Sequence, residues 1–167
     1  MQDALLLFVR THEAWGWPIA FMLAFGESLA FVSLLLPATA ILVAMGGLIG
    51  ASGNTFWPVW LAAALGAALG DWVSYALGHH YEDAITRIWP LSRHPRMVAR
   101  GAVFFRKWGI AGIFLGRFFG PLRCIIPLMA GISGMPRLPF QVANVTSAFV
   151  WATGILAPGF VGFRWLF

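Results

Sequence analysis

Charge is what this sequence has least of. Of 167 residues, 11 are Lys or Arg and 6 are Asp or Glu, 10% in all, against 60% hydrophobic. Soluble domains carry about 25% charged residues, so a soluble globular chain is excluded. The scarcity is also uneven. No charged residue occurs from Ser28 to Gly70, and none from Leu138 to Phe163. Each run exceeds the ~18 apolar residues that mark a membrane span. The chain reads as an integral membrane protein, and its first run is long enough for two passes, or for a hairpin plus most of a pass.

Other absences narrow the function. Cys124 is the sole cysteine, which excludes an intramolecular disulfide and a thiolate metal cluster. Residues 1–13 hold Asp3, Arg10, His12 and Glu13, without the basic start and compact apolar core of a signal peptide. The four histidines include no i, i+4 pair with an acid, so no metal site is expected. His79 and His80 close a span, and His94 lies in a basic loop. There is no phosphate loop, no Gly-x-Ser-x-Gly and no dinucleotide fingerprint. The chain is therefore expected to use no cofactor and not to be an enzyme.

What is present is grouped. Six of the eleven cations fall between residues 87 and 107: Arg87, Arg93, Arg96, Arg100, Arg106 and Lys107. That is one short loop between apolar segments, which the positive-inside rule puts on the cytoplasmic side. It reads as a topology signal touching anionic lipid rather than as a nucleic-acid surface. Nine tryptophans fit aromatic belts at the two interfaces.

A coarse pass gives an interfacial piece at 1–13 and an apolar run at 14–53 broken at Pro37. A span follows at 57–80, then the basic loop at 81–107 with room for an amphipathic helix. A broken segment occupies 108–136, interrupted at Gly120-Pro121 and Pro127, and a last span covers 140–163. With Pro37 set over Pro121, "PATAILVAMGGLIG" (37–50) lies on "PLRCIIPLMAGISG" (121–134). Ile41 then matches Ile125, Met45 matches Met129, Gly47 matches Gly131, Gly50 matches Gly134 and Phe56 falls on Phe140. Shared Pro and Gly positions matter because they govern backbone shape. The alternative is two ordinary spans with proline kinks. If both segments are re-entrant hairpins, the single span between them makes them enter from opposite faces. Paired broken segments of this kind mark the binding site of a transporter.

Four charges sit inside apolar stretches: Glu27, Asp71, Arg117 and Arg123. Each costs about 2.5–3.5 kcal/mol at the bilayer centre, roughly 10 kcal/mol for four left unpaired. They must pair, face water or lie near an interface. Arg117 and Arg123 are six residues apart, about 120° off a common face of a regular helix, but the break at Gly120-Pro121 can bring both to one site. Two guanidinium forks at one point suit a phosphate or a carboxylate. In a bilayer the natural ligand of that kind is a lipid phosphate. The alternative is that both arginines only pair with Glu27 and Asp71. Glu27 is a candidate proton-coupling group. Asp71, following the small residues Gly66 and Gly70 that permit close helix packing, is a candidate for the same role or for a tether.

These residues resemble a known family. "GRFFGPLRCIIPLMAGISGM" (116–135) is similar to the signature of the DedA family, also called the VTT or SNARE-associated-Golgi domain. So are "GAALGDWVSYALGHHYE" (66–82), with its Gly-Asp-x-x-x-Tyr-x-x-Gly pattern, and Glu27 followed ten residues on by Pro37. The resemblance runs from about Glu27 to Trp151. It implies a single membrane domain over 1–167 in the bacterial inner membrane, all-α, with two opposed re-entrant hairpins (about 27–53 and 108–136) and transmembrane helices in a pseudo-inverted repeat. Pro37, Thr39, Pro121 and Pro127 are then the hairpin-tip residues. The resemblance further implies movement of undecaprenyl phosphate or a similar lipid phosphate across the membrane, coupled to protons. Arg117 and Arg123 would bind the phosphate, with Glu27 as the essential acid. One departure stands out: many members have Pro-Gly-Asp or Pro-Gly-Glu where this chain has Pro37-Ala38-Thr39. The expected partners are membrane lipids, with a homo-oligomer compatible with the sequence. The rival readings are an ion-homeostasis or envelope-assembly protein and, less favoured for want of a histidine near the arginines, a lipid phosphatase.

Overall fold

The computed structural model describes residues 13–29, 38–52, 55–81, 95–119 and 123–166. Within them there are six helices and no strand: α1 (Glu13–Ser28), α2 (Ala38–Ser52), α3 (Phe56–His80), α4 (Pro95–Gly116), α5 (Ile125–Ile132) and α6 (Arg137–Leu166). Pro37 and Pro121 lie outside the described residues, as do residues 1–12 and 82–94 of the basic loop. The rest of that stretch, from Pro95 onward, is helix.

Two helices, Phe56–His80 and Arg137–Gly162, are long and apolar enough to cross a membrane. At 1.5 Å per residue the 25 residues of α3 extend about 38 Å, beyond the ~30 Å hydrocarbon core. The 15 residues of α2 reach only about 22 Å and the 8 of α5 about 12 Å, too short to cross. Proline shapes the short helices differently from the sequence expectation. Pro127 does not interrupt α5 but sits third in it, in the first turn, where its missing N–H has no intrahelical partner to lose. The kink in the second broken segment falls instead at Gly109, whose φ of 45° and ψ of −122° split α4 into two limbs.

Small residues let the helices approach closely. A Cβ on Gly66 or Gly70 of α3 would strike the carbonyl oxygens of Phe21 or Phe25 on α1, opposite the fully buried Ala20 and Ala24. The same holds for Gly46 and Gly50 of α2 against α6, and for Gly78 of α3 and Gly131 of α5 against each other's helix. Backbones this close gain dispersion contact that larger residues would forbid. Helix α5 ends in a Schellman turn. Gly134 has φ 67°, its N–H bonds Gly131 O at 3.0 Å, and the Met135 N–H bonds Ala130 O at 3.1 Å. The Tyr75 hydroxyl donates to Met135 O at 2.5 Å while its ring stacks on Phe140, 4.1 Å between centroids, pinning this turn to α3.

The packing exchanges partners between the two halves of the chain. Helix α1 packs along α3 and α4 along α6, within each half. Helix α2 packs on α6, and α5 on α3, across the halves. Helices α3 and α6 run against each other at the centre. Their contacts gather into two apolar clusters. One joins Val59–Ala68 of α3 to Ala148–Leu156 of α6 with Ala20, Ala24, Leu42 and Ile49. The other joins Tyr75 to Phe140 and Ala143 with α4 and α5 side chains. The residues between them, Asp71 on α3 and Asn144 and Ser147 on α6, are polar and buried.

Candidate functional site

All four charges singled out in the sequence meet in that polar layer. Glu27 comes from the last turn of α1, where the helix ends in a Leu29 N–H bond to Gly26 O at 3.2 Å. Asp71 lies inside α3, about 22 Å along the axis from Phe56 and about 14 Å from His80. Arg117 directly follows α4 and Arg123 precedes α5, so both occupy the break between those helices. A regular helix would have splayed them; the interruption lets them converge.

The charges form two ion pairs, each joining the first half of the chain to the second. Arg117 Nη2 pairs with Asp71 Oδ2, with side chains only 5% and 8% exposed. The same Nη2 donates to Asn144 Oδ1 at 2.7 Å. Asn144, itself fully buried, donates through Nδ2 to Ala68 O at 2.8 Å and to Gln141 Oε1 at 3.3 Å. Arg123 Nη2 lies 2.5 Å from Glu27 Oε1, and the Thr39 hydroxyl donates to that same oxygen. This second pair is less completely satisfied. The Arg123 Nη2 approach is an ion-pair contact without hydrogen-bond geometry, and Glu27 Oε2 is buried with no hydrogen-bond partner. The Arg123 guanidinium instead lies over the Trp151 ring, 4.8 Å from its centroid. Nearby, the Ser74 hydroxyl donates to Ser28 O at 3.3 Å and ties the end of α1 to α3.

Ser28, Ala67, Asp71, Arg117, Arg123 and Trp151 line a cavity of about 10 Å³. That is room for one water molecule, and less than a phosphate group needs. Two carboxylates against two guanidiniums make the layer neutral, and each pair shields its partner from the apolar clusters on either side. Breaking one pair from one side costs about 3–5 kcal/mol, because the remaining charge is left buried. The arrangement can therefore accept an anion only if a carboxylate moves aside or is neutralised.

Of the residues predicted from sequence, Glu27, Asp71, Arg117 and Arg123 are brought together. Thr39 joins them as the second residue of α2, through its hydroxyl to Glu27. Pro127 lies in α5, in neither pair. The sequence reading missed Asn144 and Trp151. A signal existed: Gln141, Asn144 and Ser147 recur every third residue in a charge-free run, and Trp151 follows Asn144 by two turns on the same face.

A helical bundle with membrane-length apolar helices around a buried layer of paired charges defines a helical membrane protein. The VTT domain family matches residues 36–161, which include Asp71, Arg117, Arg123, Asn144 and Trp151, and the chain belongs to that family, the DedA family. It is 31% identical over 159 residues to "Inner membrane protein YabI" of Escherichia coli K12, covering 95% of this chain and 63% of the relative. It is 29% identical over 143 residues to "Inner membrane protein YghB" of the same organism, covering 85% of this chain and 65% of that one. A mycobacterial relative, "Uncharacterized membrane protein Mb2670" of Mycobacterium bovis, is 37% identical over 100 residues. The chain spans less than two thirds of the length of these relatives. No solved structure matches it significantly.

Proposed function

We propose that this protein is a translocase, not an enzyme, that carries a phosphorylated lipid such as a polyprenyl phosphate across a bacterial inner membrane. Its basic stretch around 87–107 would face the cytoplasm. The observation that carries the reading is the convergence of Arg117 and Arg123, from a break between two helices, on one cavity beside Asp71, well inside the membrane-length helix α3. Interrupted backbone at that depth is tolerated where it lines a cavity or lies in protein, and intramembrane charges are functional by default. The exchange of partners, with α2 on α6 and α5 on α3, supports two short re-entrant units in an inverted repeat. In this reading the closed cavity is the resting state. A phosphate takes the two guanidiniums, and Glu27 and Asp71 are released to take up protons. Outward and inward states differ in which short helix pair parts.

Native mass spectrometry of the purified protein tests this, with Arg117→Ala and Arg123→Ala alongside. The expected result is a co-purifying lipid phosphate that both variants lose. Inorganic phosphate at millimolar excess distinguishes the sources of the anion: a lipid ligand is retained against it, whereas a site for free phosphate is filled by it. Equal lipid retention in all three proteins overturns the reading.

One observation favours a second reading. Every charge in the layer already has an opposite partner, as a purely structural network requires. The exchange Glu27→Arg with Arg123→Glu separates the two. It restores function if the pair is a tether, and leaves the protein inactive if Arg123 must meet a phosphate from its present position.

A further inference from the structure

Arg117 and Arg123 are held differently, and the difference centres on a residue without charge. Asn144 is 0% exposed, two turns into α6. Its amide touches three groups: Arg117 Nη2 at 2.7 Å, Ala68 O at 2.8 Å and Gln141 Oε1 at 3.3 Å. The chemistry fixes its orientation. Turning the amide over would set its NH2 against the guanidinium and its oxygen against two other oxygens, three like-to-like contacts. Asn144 therefore presents its carbonyl to Arg117 and its donors to α3 and its own helix. Ala68 lies one turn before Asp71 on α3, so one side chain locates both members of the Arg117–Asp71 pair. Among the described residues Arg123 has no counterpart to this support: beyond Glu27, it rests on the face of Trp151.

We infer that Asn144 is a positioning residue that keeps Arg117 aimed at the cavity when Asp71 is displaced by an anionic ligand. A neutral acceptor suits this task. A second carboxylate there would hold Arg117 as firmly but would repel the incoming anion. With Asn144 in place, losing Asp71 as partner still leaves the guanidinium one short, charge-assisted hydrogen bond. Arg117 is then the fixed half of the anion grip and Arg123 the half that adjusts. The inference rests on the anion-site reading above and assigns the origin of its geometry.

A double-mutant cycle tests it, reading the Kd for dioleoyl phosphatidic acid titrated into the purified protein in neutral detergent. Asn144→Ala is expected to weaken binding about tenfold, the size of a lost hydrogen bond to a charged group. In the Arg117→Ala background the same substitution should change Kd less than about twofold, because its effect runs through Arg117. Asn144→Gln keeps every polar group but shifts it by one methylene. It guards against misfolding and should weaken binding in the same Arg117-dependent way. A residue serving only to hold α3 to α6 would lower thermal stability equally in both backgrounds without this dependence. Unchanged affinity in both Asn144 variants, or an equal loss with and without Arg117, overturns the inference while leaving the anion site standing. If Arg117→Ala itself leaves Kd unchanged, the anion-site reading falls and this inference falls with it.

Discussion

Removing Asp71 isolates the energetic logic of the polar layer. In Asp71→Ala, Arg117 loses its counter-charge while only 5% of its side chain reaches the surface. Asp71 lies about 14 Å along α3 from the nearer helix end, which puts the partner's guanidinium too deep to reach water by extending. Breaking a buried pair from one side costs about 3–5 kcal/mol. The Asn144 hydrogen bond survives and holds part of the charge, so the expected loss lies near the lower end, about 3 kcal/mol. The double replacement Asp71→Ala with Arg117→Ala removes both charges and both desolvation costs. It should cost less than the single change, about 1–2 kcal/mol, mostly from Asn144 left short of a partner. Reversible unfolding in mixed detergent–dodecyl sulfate micelles, followed by tryptophan fluorescence, measures both. A single-mutant loss below about 1 kcal/mol would refute the reasoning, since breaking a buried pair is worth more than that. So would a double mutant whose loss equals the sum of the two singles.

Two further predictions concern packing. Gly131→Leu puts a side chain against the backbone of Tyr75 and His79 and should destabilise by about 3 kcal/mol, the upper end for overpacking. Gly154→Leu, which meets open space on an exposed side of α6, should stay within about 0.5 kcal/mol; thermal unfolding of the pair in one detergent compares them. Tyr75→Phe keeps the stack on Phe140 but leaves Met135 O without its donor, and should cost about 1 kcal/mol in the same assay.

The membrane class was legible because charge is a strong signal in a hydrocarbon environment: two long charge-free runs leave few alternatives. The span at 57–80 and the last span at 140–163 correspond to Phe56–His80 and Arg137–Leu166, since continuous apolar sequence with few breakers fixes helices well. Breakers were harder to place. Pro127 was read as an interruption, yet in a first turn proline is compatible with helix, and glycine at 109 made the kink instead. Charge balance foretold that two acids and two arginines could pair, but not who pairs with whom. That depends on where α1 and α4 end, which a one-dimensional pattern does not encode. Asn144 escaped notice because a neutral amide leaves little mark on hydropathy. Only its three-residue spacing with Gln141 and Ser147 betrays a polar stripe facing the site. Thr39 was noted as a missing acid. Its hydroxyl in fact reaches Glu27, so the position still serves that carboxylate, now as a neutral donor.

The central claim is that Arg117 and Arg123 move a lipid phosphate from one leaflet to the other. The most direct measurement reconstitutes the protein in liposomes carrying a polyprenyl phosphate in both leaflets and adds a membrane-impermeant phosphatase outside. With the wild-type protein, the inner-leaflet pool should become accessible, so that essentially all the lipid phosphate is hydrolysed. With Arg117→Ala or Arg123→Ala, hydrolysis should stop once the outer leaflet is spent. If the wild-type protein also leaves the inner pool untouched, or if both variants exhaust it as fast as wild type, the account is contradicted.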